Sequence, residues 1–107
     1  MKSLHTTEEF NEVKKNGKSI FVFSADWCPD CRFIEPFLPE LEQENEDYGF
    51  YYVDRDEMLD LCIDLDIFGI PSFVAFHEGE EAGRFVDKNR KTKEQVNAFI
   101  QALRTAK

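Results

Sequence analysis

Two cysteines, Cys28 and Cys31, stand where an apolar run gives way to a helical pattern, and that junction limits what this chain can become. The run is Ile20-Phe21-Val22-Phe23, and the pattern is Phe33, Ile34, Phe37, Leu38 and Leu41. A short apolar run reads as a buried strand, and the helical spacing after it reads as a helix beginning on the cysteines. Pro29 fits the first helical position, where a missing N–H costs nothing. Cys28 then falls near the N-cap, with its sulfur close to free backbone N–H groups and the positive end of the helix dipole. That setting favours the thiolate, which is the reactive form of cysteine. Cys31, one turn in, is close enough to close a disulfide with Cys28.

The remaining pattern supplies a frame around this junction. Leu4 and His5 are expected in a short edge strand. Thr6-x-x-Glu9 reads as a capping box for a first helix, with Phe10 and Val13 on its apolar face and a stop at Asn16-Gly17. Lys18 to Phe23 is the central strand. A second helix is expected from Cys28 to about Glu44, kinked at Pro36, where the Arg32 carbonyl loses its partner, and broken again near Pro39. Phe50 to Val53 is a strand whose poor alternation suits cover on both faces. Met58, Leu61, Cys62 and Leu65 share one stripe of a short third helix. Phe73 to Phe76 and Arg84 to Val86 are expected to form a hairpin through His77-Glu78-Gly79-Glu80. Thr92-x-x-Gln95 caps a last helix that buries Val96, Phe99, Ile100 and Leu103. The class is α/β, with early parallel strands and a late antiparallel pair, in a single domain over residues 1–107.

Two motifs give this frame a likeness. Trp27-Cys28-Pro29-Asp30-Cys31, with Pro36 eight residues after the first cysteine, resembles the active-site stretch of the thioredoxin family. Gly69-Ile70-Pro71-Ser72 ahead of an apolar strand, with Gly79 eight residues beyond Pro71, is the second match. The likeness covers nearly the whole chain. Pro-Asp between the cysteines is similar to small cytosolic thioredoxin-like proteins, whereas the principal thioredoxins carry Gly-Pro. The resemblance implies a thioredoxin fold, a central mixed sheet of four to five strands with helices on both faces. It implies thiol–disulfide exchange, in which the Cys28 thiolate attacks a substrate disulfide and Cys31 resolves the mixed disulfide. It implies a cis bond before Pro71, with Ile70 held extended so that its backbone can pair with a substrate strand. Trp27, Pro29 and Asp30 complete the implied substrate-facing surface. No cofactor or metal is expected beyond the redox-active pair. Electrons come from an external dithiol reductase such as thioredoxin reductase, and the substrates are disulfide-containing proteins.

The chain departs from the family at four positions. Val22 stands where a buried aspartate is usual, and Tyr52 where a lysine is usual. Asp87 replaces a loop glycine, and Arg55 an apolar rim residue. Without the aspartate, Cys31 must give its proton to water or to another group, and Asp26 and Asp30 are the nearest carboxylates along the chain. The two added charges imply a more charged substrate surface.

Charge and cysteine usage set the outer limits. The net charge of −9 argues against nucleic acid and anionic membranes as partners. Three cysteines are too few, and odd in number, for a secreted disulfide scaffold. Met1 to Thr7 lacks the apolar core of a signal peptide. A cytoplasmic monomer is expected, in a reducing compartment where a cysteine pair is catalytic rather than structural. The competing readings are a reductase of low-molecular-weight disulfides, a non-catalytic interaction module, and a zinc half-site. Zinc would need further ligands from Cys62, His5 and His77, which lack paired spacing. Cys62, on its apolar stripe, is expected to be inert.

Overall fold

The computed structural model describes residues 1–105. Its strands are β1 (Lys2–Leu4), β2 (Lys18–Ser24), β3 (Gly49–Asp54), β4 (Ser72–His77) and β5 (Glu80–Phe85). Its helices are α1 (Thr7–Lys14), α2 (Pro29–Ile34), α3 (Leu38–Glu44), α4 (Leu59–Asp64) and α5 (Lys93–Thr105). Both expected capping boxes form. The Thr6 hydroxyl accepts the Glu9 N–H while the Glu9 carboxylate accepts the Thr6 N–H, and Thr92 and Gln95 repeat the exchange ahead of α5.

The sheet order is β1-β3-β2-β4-β5. β1 and β2 run parallel to β3, whereas β4 is antiparallel to both β2 and β5. Side chains alternate across a strand, so β2 and β4 each feed two cores. Phe21, Phe23, Val74 and Phe76 pack on one face with Phe10, Leu61 and Cys62. Ile20, Val22, Phe73 and Ala75 pack on the other with Ile34, Leu41, Val96 and Ile100. Phe10, Phe21 and Phe76 meet in tilted and edge-to-face pairs with centroids 4.6 to 5.7 Å apart. Each such ring contributes about 1.5–3 kcal/mol by burial. The mixed sheet with helices on both faces is the expected thioredoxin fold.

Three boundaries and the cover of one strand differ from the sequence expectation. The helix after the cysteines is not continuous: α2 ends at Ile34, a 3-10 turn spans Glu35–Phe37, and α3 begins at Leu38. Pro36 inside that turn has no N–H to offer, and Pro39 occupies the first turn of α3 rather than breaking it. β1 stops at Leu4, because the His5 N–H is taken by Glu9 of the α1 cap. β3 is covered less than expected, with only Phe50 and Val53 buried. β5 begins at Glu80, not Arg84. The turn has only Glu78 and Gly79 at its centre, with φ of 51° and 92°. Positive φ at both central residues matches the twist of the strands it joins.

Candidate functional site

Cys28 is the N-cap of α2, and Pro29 follows in the first turn. Cys28 Sγ accepts the Cys31 N–H at 3.4 Å, which fills one of the donors a helix start leaves open. The two thiols are therefore held together but in unlike surroundings. Cys28 is less exposed than a surface nucleophile would be, at 7%, because Ile70 packs against it. It still lines the mouth of a cleft. Cys31 is fully buried, and burial first, then the hydrogen bond its thiol makes to the Cys28 sulfur, pushes it up to about 11.

The second motif lies against the first. The Ile70–Pro71 bond is cis, as expected. The Cys28 thiol points to the Ile70 carbonyl at 3.9 Å. Gly69 is required by close approach: an added Cβ would collide with the backbone of Asp87 and Lys88. The Ser72 hydroxyl ties the same loops together, donating to the Gly69 carbonyl at 2.6 Å and lying 3.4 Å from that of Asp87. The loop after β5 is thereby fixed beside the cysteines.

Between these walls is a cleft of about 230 Å³ lined by Trp27, Cys28, Phe68, Ile70, Arg55 and Lys88. Trp27 is 60% exposed; its indole N–H donates to Asp56 at 2.6 Å, and Arg55 lies over the ring at 5.9 Å from its centroid. Pro29 is exposed beside it. Asp30 also lines the cleft, but its carboxylate is occupied: Arg90 donates to it at 2.9 Å and stacks on Phe33 at 4.5 Å. Of the two charges expected on this surface, Arg55 lines the cleft, beside Lys88, whereas Asp87 is turned to Lys91.

Beneath Cys31 the sheet is as the departures imply. Val22 is fully buried and stands in register with Tyr52 on β3 and Phe73 on β4. The polar neighbour of Cys31 is neither Asp26 nor Asp30 but Ser24, at the end of β2. The Ser24 hydroxyl donates to Glu35 at 3.2 Å, and Tyr52 also reaches it. Asp26 is exposed.

Ser24, Glu35, Phe68, Lys88 and Arg90 are not among the residues the motifs single out. A serine ending an otherwise apolar strand was a usable signal for Ser24. The Asp30–Arg90 pair joins positions sixty residues apart and leaves no local signal. Cys62 points from α4 into the core, and burial pushes its thiol up to about 11.

Comparison with known proteins agrees with this geometry. Residues 2–102 match the family described as Thioredoxin. An H-type thioredoxin of Fagopyrum esculentum is 38% identical over 87 residues, covering 77% of this chain and 75% of that protein. A thioredoxin of Alternaria alternata is 35% identical over 98 residues, covering 90% and 83%. The solved structure of mitochondrial thioredoxin 3 from Saccharomyces cerevisiae, in its oxidised form, has a TM-score of 0.82 at 26% identity, covering 99% of this chain and 95% of its own. That of Fasciola hepatica thioredoxin has a TM-score of 0.79 at 27% identity, covering 95% and 98%. The paired cysteines lie where such an enzyme needs them, and the chain belongs to the thioredoxin family of protein thiol–disulfide oxidoreductases.

Proposed function

We propose that the chain works as a reductase of protein disulfides, with Cys28 as the attacking thiol and Cys31 as the resolving thiol. The observation that carries this is the asymmetry of the pair. Cys28 lines the cleft and receives a backbone N–H at a helix start, while Cys31 is sealed behind it and held protonated. In the first step the Cys28 thiolate forms a bond to one substrate sulfur and the other leaves as thiolate. In the second, Cys31 loses its proton, bonds to Cys28 and releases the first sulfur. The substrate gains two electrons and the protein ends as a Cys28–Cys31 disulfide. Trp27, Pro29 and Asp30 form one bank of the substrate surface, and Ile70 and Pro71 the other. The Ile70 backbone offers main-chain pairing to an extended substrate segment.

The cycle needs no cofactor beyond the cysteine pair, and a dithiol reductase such as thioredoxin reductase restores it. The acidic surface supports a protein-facing role and no nucleic-acid or membrane partner. Among the described residues no helix is long and apolar enough to cross a membrane. A monomer in the cytoplasm fits the sparse cysteine usage. The test is trapping: Cys31→Ser should accumulate mixed disulfides with proteins of a cell extract, and Cys28→Ser should not. Capture by Cys28→Ser instead would reverse the assignment.

A further inference from the structure

We propose that Ser24 and Glu35 form the proton route of Cys31, with the thiol proton passing to the Ser24 hydroxyl and the serine's own proton passing to the Glu35 carboxylate. The inference rests on Cys31 being the resolving thiol.

Three observations converge on it. Cys31 and Glu35 are four residues apart at the end of α2, where the Glu35 N–H still donates to the Cys31 carbonyl. Residues at that spacing share a helix face. Ser24 belongs to the face of β2 that also carries Ile20 and Val22, which is the face α2 covers. The hydroxyl is therefore enclosed between strand and helix, fully buried, within reach of Cys31 and 3.2 Å from Glu35 Oε2.

The hydroxyl's capacity fits this role. A serine donates one hydrogen bond and accepts two. Ser24 donates to Glu35 and has Cys31 and Tyr52 as its other side-chain partners. Tyr52 is pushed up to about 12, mainly by burial, so it remains a donor and does not compete for the proton. The Asp26 and Asp54 carboxylates face the group from the ends of β2 and β3 and add, with Glu35, to the upward push on Tyr52. Glu35 is half-buried and can pass the proton on to water.

The step balances. The Cys31 S–H bond breaks and a Ser24 O–H bond forms. The original Ser24 O–H bond breaks and a Glu35 O–H bond forms. The Cys31 thiolate then bonds to Cys28, and the substrate sulfur leaves with the electron pair of the broken disulfide. No other oxidant or reductant is needed. A buried thiol of this kind is otherwise dependent on solvent reaching a sealed position.

The aromatic disulfide dithiobis-nitrobenzoate separates the two steps. Its first thionitrobenzoate is released as Cys28 attacks, in a phase that depends on reagent concentration. The second is released as Cys31 attacks, in a phase that does not. Ser24→Ala and Glu35→Gln should each slow the second phase at neutral pH by on the order of 10- to 100-fold, the lower part of the range for positioned proton transfer. The first phase should stay within about twofold of the original chain. The deficit should shrink as pH rises and hydroxide takes the proton, and Ser24→Thr should restore the rate. Glu35→Gln keeps the shape of the side chain and decides the matter alone if Ser24→Ala does not fold. A second phase unchanged in Glu35→Gln, or equal slowing of both phases, would overturn the route. A second phase that survives in Cys31→Ser would overturn the resolving assignment and the route with it.

Discussion

Replacing Lys91 by methionine tests how the loop beside the cysteines is held. The Lys91 side chain is 1% exposed. Its ammonium donates to the Asp87 carboxylate at 2.8 Å, the Asn89 carbonyl at 2.9 Å and the Asp87 carbonyl at 3.3 Å. Three donors thus meet three acceptors, and the Phe85 ring lies 5.0 Å away. Methionine keeps the unbranched apolar stem, one atom shorter, and removes the charge. The carboxylate loses little, because Asp87 is 41% exposed and an exposed pair is worth at most about 1 kcal/mol. Each carbonyl loses a hydrogen bond to a charged donor, worth roughly 1.5–3 kcal/mol. Against this stands the desolvation of the ammonium, which costs several kcal/mol and disappears in the variant. The balance is a destabilisation of about 1–3 kcal/mol, or a fall in Tm of roughly 5–15 °C at this chain length. Urea unfolding followed by far-ultraviolet circular dichroism should show a lower midpoint at unchanged slope. The hydrogen bond from Lys91 holds the Asp87 carboxyl below its ordinary value. A depressed carboxyl contributes stability that is complete above its unfolded pKa of about 4 and is lost as pH falls through its native value. The gap between the two proteins should therefore narrow below about pH 4. A methionine variant as stable as the original at neutral pH would refute the reasoning, since desolvation would then outweigh the three acceptors.

Two further outcomes follow from the same geometry. Cys62→Ala should lose about 1 kcal/mol through a small cavity while disulfide reduction stays intact, and iodoacetamide at neutral pH should spare native Cys62; loss of turnover with an intact fold would show that Cys62 takes part. Asp30→Asn should raise the reduction potential and Arg90→Ala should lower it, because each leaves the opposite charge unbalanced near the Cys28 thiolate. Both shifts should stay within about 30 mV and shrink in high salt, and shifts of the same sign would remove the electrostatic account.

The cysteine junction and the two cores were legible because apolar period and cap chemistry are local signals. β2 and β4 announce themselves as Phe-rich runs, and the boxes at Thr6 and Thr92 form as written. β5 was misplaced for a physical reason. Its first residues, Glu80, Glu81 and Ala82, are exposed, and main-chain pairing to β4 holds them without a side-chain signature. Pro36 marked the interruption after α2, but the tightening into a 3-10 turn depends on how the flanking turns pack. At the site, the motif residues were readable from spacing. Their partners were not: Arg90 reaches Asp30, and Glu35 reaches Ser24, by tertiary approach alone. Asp26 and Asp30 were nearest along the chain, yet strand direction gave the Cys31 face to Ser24.

The order of the sheet has a colloidal consequence. The stretches best suited to self-association are the apolar, uncharged runs of β2 and β4, and these are the segments from which cross-β stacks are built. Each is enclosed by partners on both sides, β2 by β3 and β4, and β4 by β2 and β5. The borders are poor templates: β1 has three residues, and β5 presents Glu80, Glu81 and Arg84. Short or charged edges discourage a second chain from adding on. The sticky runs are thus exposed only when the sheet opens as a whole, so resistance to aggregation in this chain is tied to global unfolding rather than to fraying at either border.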